Sequence, residues 1–146
     1  MRNKGDIIVI EDDPDDRDLL MNAYDALAAE KNYSNKLVLL EDSTTVVDYL
    51  KTYKAKPFII ISDINMPKID GFALRDLIFN DPALSRFCVP YVFLTTTDNP
   101  KYVQDAYKLS VQGYFIKPTG FRDYVNMLDR IMRYWEKSAA PDFVAN

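Results

Sequence analysis

The 146-residue chain contains no histidine and a single cysteine, Cys88. Without histidine, every His-based triad, histidine general base and histidine metal site is excluded. One thiol cannot close an internal disulfide, so the fold needs no oxidising compartment. The same two scarcities disfavour zinc. Long apolar runs are missing as well. Ahead of Glu11 only the four aliphatic residues Ile7 to Ile10 stand together, too few for a signal-peptide core or a membrane span. A cytoplasmic protein without membrane association is the expectation. Basic residues are outnumbered, 18 Lys and Arg against 22 Asp and Glu, for a net charge of −4. That balance argues against broad binding to a nucleic-acid backbone, which needs a clustered basic footprint.

What is present suits a packed globule, with 48% hydrophobic and 27% charged residues. The length fits one domain over 1–146, with a core of about 5–137 and a frayed tail at 138–146. Five short apolar runs recur: Ile7–Ile10, Leu37–Leu40, Phe58–Ile61, Val89–Leu94 and Gly113–Ile116. Runs of this kind predict strands buried on both faces of a parallel sheet. Helical patterns fall between them, over about Pro14–Lys31, Ser43–Lys54, Gly71–Asn80, Pro100–Leu109 and Phe121–Lys137. Asp13 is placed to cap the first helix and Pro14 to open it. In the last, Phe121, Tyr124, Val125, Leu128, Ile131, Met132 and Trp135 form one stripe. The alternation reads as an α/β fold of (βα)5 type, a doubly wound parallel sheet covered by helices.

Ligands of such sheets bind beyond the carboxyl ends of the strands. The residues at those ends are Glu11 and Asp12 after the first run, Ser62 and Asp63 after the third, Thr95 after the fourth, and Lys117 and Pro118 after the fifth. Carboxylates packed together repel by about 4 kcal/mol per pair at ~4 Å and an effective dielectric near 20. A hard divalent cation with oxygen ligands answers that repulsion, and Mg²⁺ suits one or two carboxylates plus waters and a phosphate oxygen. A carboxylate can then carry a phosphoryl group as a mixed anhydride. Such a transfer needs charge neutralisation and alignment more than acid–base groups. Lys117 supplies charge and Thr95 a neutral donor.

Four segments carry a family resemblance: Ile10-Glu11-Asp12-Asp13-Pro14, Ser62-Asp63-Ile64-Asn65-Met66-Pro67-Lys68-Ile69-Asp70-Gly71, Phe93-Leu94-Thr95-Thr96 and Tyr114-Phe115-Ile116-Lys117-Pro118. Over roughly residues 5–137 the chain resembles the receiver domain of two-component response regulators, of the stand-alone, single-domain type. The resemblance implies a flavodoxin-like sheet of strand order 2-1-3-4-5. It implies Asp63 as phosphoacceptor, Asp12 as direct Mg²⁺ ligand, Glu11 as a ligand through water and Asn65 through its backbone carbonyl. Thr95 would contact the phosphoryl group and move with it, Lys117 would pair with a phosphoryl oxygen, and Tyr114 would be the aromatic switch. Pro118 would follow a cis bond that aims the lysine inward. The implied partners are a sensor histidine kinase or histidine phosphotransfer protein, a downstream protein, and a second copy through the surface of Pro100–Leu109, the fifth strand and Phe121–Lys137.

Three features depart from the family pattern. Ser110-Val111 stands where Gly-Ala is usual, and serine is a poorer left-handed cap. Thr119-Gly120 precedes Phe121 where phenylalanine usually follows the proline. Glu30–Asn35 lengthens the loop after the first helix, a feature of receivers related to phytochrome-associated regulators. Asp13 remains an alternative to Asp12 as metal ligand. Asp13, Asp15, Asp16 and Asp18 otherwise read as a solvated helix start favoured by the dipole, Asp70 as a cap, and Cys88 as a buried or half-buried small residue.

Other classes fit less well. A Mg²⁺-dependent phosphohydrolase with an aspartyl intermediate carries a second acid two residues after the nucleophile, where Asn65 stands, and needs a substrate cap. A receiver-like binding module without phosphorylation loses an acid, the threonine or the lysine, and this chain keeps them. In a flavodoxin-type electron carrier, Glu11-Asp12-Asp13 would repel the cofactor phosphate.

Overall fold

The computed structural model describes residues 5–52 and 54–139. Strands β1 (Asp6–Ile10), β2 (Leu37–Leu40), β3 (Pro57–Ser62), β4 (Tyr91–Thr95) and β5 (Gly113–Ile116) form one sheet. Its order is β2-β1-β3-β4-β5, and every pairing is parallel. β3 lies at the centre and all six of its residues are buried, as an uninterrupted Ile59-Ile60-Ile61 run requires when both faces are covered. The edge strand β2 is half-buried throughout.

Helices α1 (Pro14–Lys31) and α6 (Phe121–Glu136) cover one face. Leu20, Ala23, Tyr24 and Leu27 of α1 and Tyr124, Val125, Leu128, Ile131 and Met132 of α6 pack there against Ile7, Val9, Ile59 and Ile61. Helices α2 (Val46–Leu50), α3 (Gly71–Phe79), α4 (Pro82–Ser85) and α5 (Pro100–Lys108) cover the other face, over Ile8, Ile10, Ile60, Tyr91 and Phe93. Residues of opposite parity on each strand feed opposite cores, which is the period of a pleated strand.

Several boundaries differ from expectation. The pattern over Ser43–Lys54 resolves into a short 3-10 turn, Ser43–Thr45, followed by α2; Tyr53 lies outside the described residues. Asp42 caps this turn through Thr44 N–H, so the tighter start follows from its side chain. β4 begins at Tyr91 rather than Val89, because Pro90 has no N–H to donate to the ladder. The α4 turn is an addition; four residues are too few to show a helical period, although Asp81 caps it and Pro82 opens it. Phe121 is exposed, not part of the α6 seam, since it is the helix's first residue. Cys88 is exposed, with φ of 51° in the turn before β4, so it is not the buried small residue expected. Of the tail, residues 140–146 lie outside the described residues.

Ser110 takes the left-handed conformation that glycine would adopt more cheaply, with φ of 59°. Its cost is offset by Arg75. The buried guanidinium donates to Leu109 O at 3.0 Å and Ser110 O at 2.9 Å and lies 4.9 Å from the Phe79 and Tyr91 ring centres. A cation at a helix C-terminus suits the dipole there.

Burial pushes the phenols of Tyr24, Tyr33, Tyr91 and Tyr124 from an ordinary 10.0 to about 12. A folded-state pKa above the unfolded one contributes stability that is complete below pH 10 and is lost as pH rises toward 12. We therefore expect tyrosinate absorbance to rise together with loss of helical circular dichroism across that window. Full ionisation near pH 10 with the helices intact would contradict the burial.

Candidate functional site

The carboxyl ends of β1, β3, β4 and β5 bring the predicted residues to one edge of the sheet. Glu11 leaves β1 and is buried; Asp12 follows, half-buried. Asp63 leaves β3 with its own N–H donated to Ile10 O at 3.0 Å, which ties the two acidic segments together. One carboxylate oxygen from each of Glu11, Asp12 and Asp63 lies within 4.8 Å of the other two. Asn65 stands two residues on, exposed, in the same loop.

The start of α3 holds that loop. Gly71 N–H donates to Ile64 O at 2.7 Å, and Asp70 caps the helix by accepting from Ala73 N–H. A Cβ on Gly71 would lie 2.3 Å from Asp63 O and 2.7 Å from Ile64 Cα, both backbone atoms that cannot swing away. Gly71→Ala should therefore cost about 1–3 kcal/mol by overpacking and displace Asp63. Denaturant titration and Mg²⁺ titration check it; a variant unchanged in both would show that the loop yields freely.

Lys117 enters from β5. Its side chain is 7% exposed, and its ammonium contacts Asp16 Oδ2 at 2.7 Å, Glu11 Oε2 at 2.8 Å and Asp63 Oδ2 at 3.0 Å. Burial alone would lower the lysine pKa, but the bonds to Asp16 and Glu11 and the charge of Asp63 outweigh it and hold the ammonium well above its usual range. Burial raises the Glu11 carboxyl pKa; the hydrogen bond from Lys117 opposes that shift and the charge of Asp63 adds to it. Asp63 Oδ1 accepts from Ile64 N–H at 2.7 Å, so each of its oxygens has one donor. Asp13 caps α1 by accepting from Asp15 N–H at 2.9 Å and Asp16 N–H at 3.1 Å, and its own N–H donates to Glu11 Oε1.

Thr95 ends β4, the strand between those carrying Asp63 and Lys117. Its backbone accepts from Lys117 N–H at 2.8 Å. Its hydroxyl is completely buried and has no hydrogen-bond partner among the described residues. Tyr114 is half-buried, its ring 6.4 Å from Phe93, and its hydroxyl donates to Thr97 O at 2.7 Å. Pro118 follows Lys117 at the edge, but among the described residues no peptide bond is cis. The expected cis bond is therefore corrected to trans. The lysine is aimed inward without it, because Lys117 N–H is fixed to β4 and its ammonium is drawn by three carboxylates.

Asp16 is the residue that sequence reasoning missed. It reads from sequence as part of a solvated helix start, yet its carboxylate makes the shortest of the three lysine contacts. The available signal was its place three residues beyond the Asp13 cap, where a helix's first turn faces back toward its N-terminus.

The edge fits a hard divalent cation. Three carboxylates share one ammonium and a fourth, Asp12, stands beside them; all the cluster donors are oxygens, and among the described residues no hydrogen bond or ion pair engages the Asp12 carboxylate. A parallel sheet of this order, with acids, a buried hydroxyl and an ammonium at its carboxyl edge, defines a receiver. Residues 7–129 match the family model described as response regulator receiver domain, and the chain belongs to that family of two-component signalling proteins. It is 28% identical over 133 residues to the probable methanogenesis regulatory protein FilR2 of Methanothrix harundinacea, covering 88% of this chain and 82% of the relative. It is likewise 28% identical over 134 residues to response regulator Rcp1 of Synechocystis, covering 88% and 87%. Among solved structures, the phosphorylated cyanobacterial phytochrome response regulator RcpA superposes with a TM-score of 0.80 at 26% identity, covering 95% of this chain and 99% of that one. The Mn²⁺-bound form of Rcp1 gives 0.77 at 28% identity, again covering 95% and 99%. Among the described residues no helix is long and apolar enough to cross a membrane.

Proposed function

We propose that this chain is a single receiver domain that accepts a phosphoryl group on Asp63 from a histidine kinase or histidine phosphotransfer protein and uses the added charge to change a protein-binding surface. The observation that carries the reading is the Thr95 hydroxyl, wholly buried yet unpartnered at the edge where Asp63 and Lys117 meet. A buried hydroxyl without a partner costs about 1–3 kcal/mol, and a phosphoryl oxygen would relieve that cost. The similar structures of phosphorylated RcpA and of Mn²⁺-bound Rcp1 support the same reading.

Glu11, Asp12 and Asp63, with the Asn65 carbonyl, would hold Mg²⁺, with Asp12 direct and Glu11 through water. When bound, Mg²⁺ supplies positive charge against the phosphoryl oxygens. Asp63 is the nucleophile: one carboxylate oxygen forms the new O–P bond while the donor's P–N bond breaks, and the histidine nitrogen keeps the electron pair. Lys117 then holds a phosphoryl oxygen and Thr95 donates its hydroxyl proton in a hydrogen bond. Loss of the group runs through water, whose oxygen bonds to phosphorus as the bond to Asp63 breaks, restoring the carboxylate and releasing phosphate. Apart from this turnover on itself, no enzymatic activity is proposed. Tyr114 is the switch, and α5, β5 and α6 are the output surface, where exposed Tyr107, Ile116 and Phe121 suit a downstream protein or a second copy.

Incubation with Mg²⁺ and acetyl phosphate should add one phosphoryl mass to the intact protein, and Asp63→Asn should abolish it. Uptake that persists in that variant, or in a chelator, would refute the assignment.

A further inference from the structure

We infer that the cavity between α3, α4 and the sheet is a second binding site, for a small aromatic carboxylate held by Arg75. Pro57 and Val89 line it, so it lies at the amino ends of β3 and β4, the edge of the sheet opposite to Asp63 and Lys117. Its volume is about 200 Å³. An apolar cavity of ~150 Å³ is enough to hold benzene, so one six-membered ring with a carboxylate fits. Ile60, Ile78 and Leu84 give it a buried, apolar wall. Ser85 and Cys88 also line it and are exposed, so it can be reached from solvent.

Among the described lining residues Arg75 alone is charged, and it is buried. Burial lowers its pKa, and among the described residues no carboxylate pairs with it. A guanidinium carries five N–H groups. Nε donates to Leu109 O and Nη2 to Ser110 O, which caps the end of α5. Capping thus accounts for two N–H groups of the five and not for the cavity beside them. The rings of Phe79 and Tyr91, each 4.9 Å from the guanidinium carbon, hold its plane in place. A carboxylate matches such a fork with two parallel hydrogen bonds and offsets the buried charge. A neutral apolar molecule would leave the cation unpaired. A phosphate dianion would set surplus charge against the apolar wall.

The test titrates the full chain with benzoate and with benzamide, its neutral counterpart of the same shape, and follows ¹H–¹⁵N resonances. Benzoate should bind saturably with a Kd of about 1 mM or tighter, the scale open to so small a ligand. It should move the Arg75 Nε–H resonance and the amides of Leu84, Ser85 and Gln112, and leave those of Glu11 and Asp63 in place. Benzamide should bind about tenfold more weakly, the factor for one charge-assisted pair. Benzoate should also slow alkylation of Cys88 by iodoacetamide, read by intact mass, more than benzamide does. Two variants follow, with thermal melts to confirm folding. Arg75→Met should lose the preference for benzoate. Ser85→Trp, at an exposed position, fills the mouth and should weaken benzoate binding about tenfold or more by exclusion. If Arg75→Met does not fold, Ser85→Trp and the two wild-type ligands decide. Benzoate that fails to saturate below about 20 mM, equal affinity for benzoate and benzamide, shifts confined to the Asp63 edge, or wild-type binding by Ser85→Trp would each overturn the site.

Discussion

Lys117→Met is expected to destabilise the metal-free protein by about 3 kcal/mol, because removing one partner of a buried ion pair leaves uncompensated charge. Here the uncompensated groups are Glu11 and Asp63, both buried and close to Asp12. Methionine keeps much of the stem's volume, so the loss reports charge rather than packing. Millimolar Mg²⁺ should return most of that stability, since a cation that binds only the folded state stabilises it by mass action. Phosphoryl uptake from acetyl phosphate should nevertheless stay about a hundredfold below wild type, the scale for loss of one preorganised donor to developing charge. Denaturant titrations with and without Mg²⁺, together with intact mass, measure all three quantities. Unchanged stability in chelator would mean that the acids take up protons or water freely, and the electrostatic account of the edge would be wrong.

Thr95→Val should move stability and phosphoryl binding in opposite directions. Valine has nearly the shape of threonine but no hydroxyl to leave unpaired, so the metal-free protein should gain about 1 kcal/mol. The same change removes the donor proposed for the phosphoryl oxygen, and beryllofluoride affinity should fall about tenfold or more. The response should also stop travelling. The Tyr114 hydroxyl is bonded to Thr97 O, two residues beyond Thr95, so a movement of Thr95 would reach β5 through that bond. In wild type, beryllofluoride with Mg²⁺ should shift amide resonances over 96–109 and 113–116 and leave 43–54 little changed. In Thr95→Val the distant shifts should largely disappear. A less stable variant, or one whose distant shifts persist, would show that the hydroxyl neither strains the ground state nor carries the signal.

The sequence made much of this legible because its local signals agree with one another. Ile7–Ile10, Leu37–Leu40, Phe58–Ile61 and Gly113–Ile116 fall within the observed strands, and Pro14 and Lys31 bound α1. Where tertiary contacts compete with local preference, the reading was incomplete. Ser110 is a poor left-handed residue by itself, and its carbonyl accepts from the Gln112 amide two residues on and from Arg75, 35 positions away in sequence. The α4 turn was too short to show a period. The Lys117–Pro118 bond was expected to be cis, but fixed contacts on both sides aim the lysine without it.

By itself the sequence determined which residues stand at the strand ends, because a strand's length and its terminating polar residue are encoded locally in the order of apolar and charged side chains. It thereby determined that Glu11, Asp12, Asp63, Thr95 and Lys117 share one edge of a parallel sheet. Only the tertiary structure decided how they are partnered. Asp16 and Lys117 are 101 positions apart, and no local pattern pairs the one with the other. Their contact forms because the first turn of α1 and the residue after β5 meet at the same edge of the sheet. Likewise the Thr95 hydroxyl is orphaned because the packed strands around it exclude water and offer no acceptor. Pairing and exclusion of that kind belong to the assembled sheet, not to any segment of the chain.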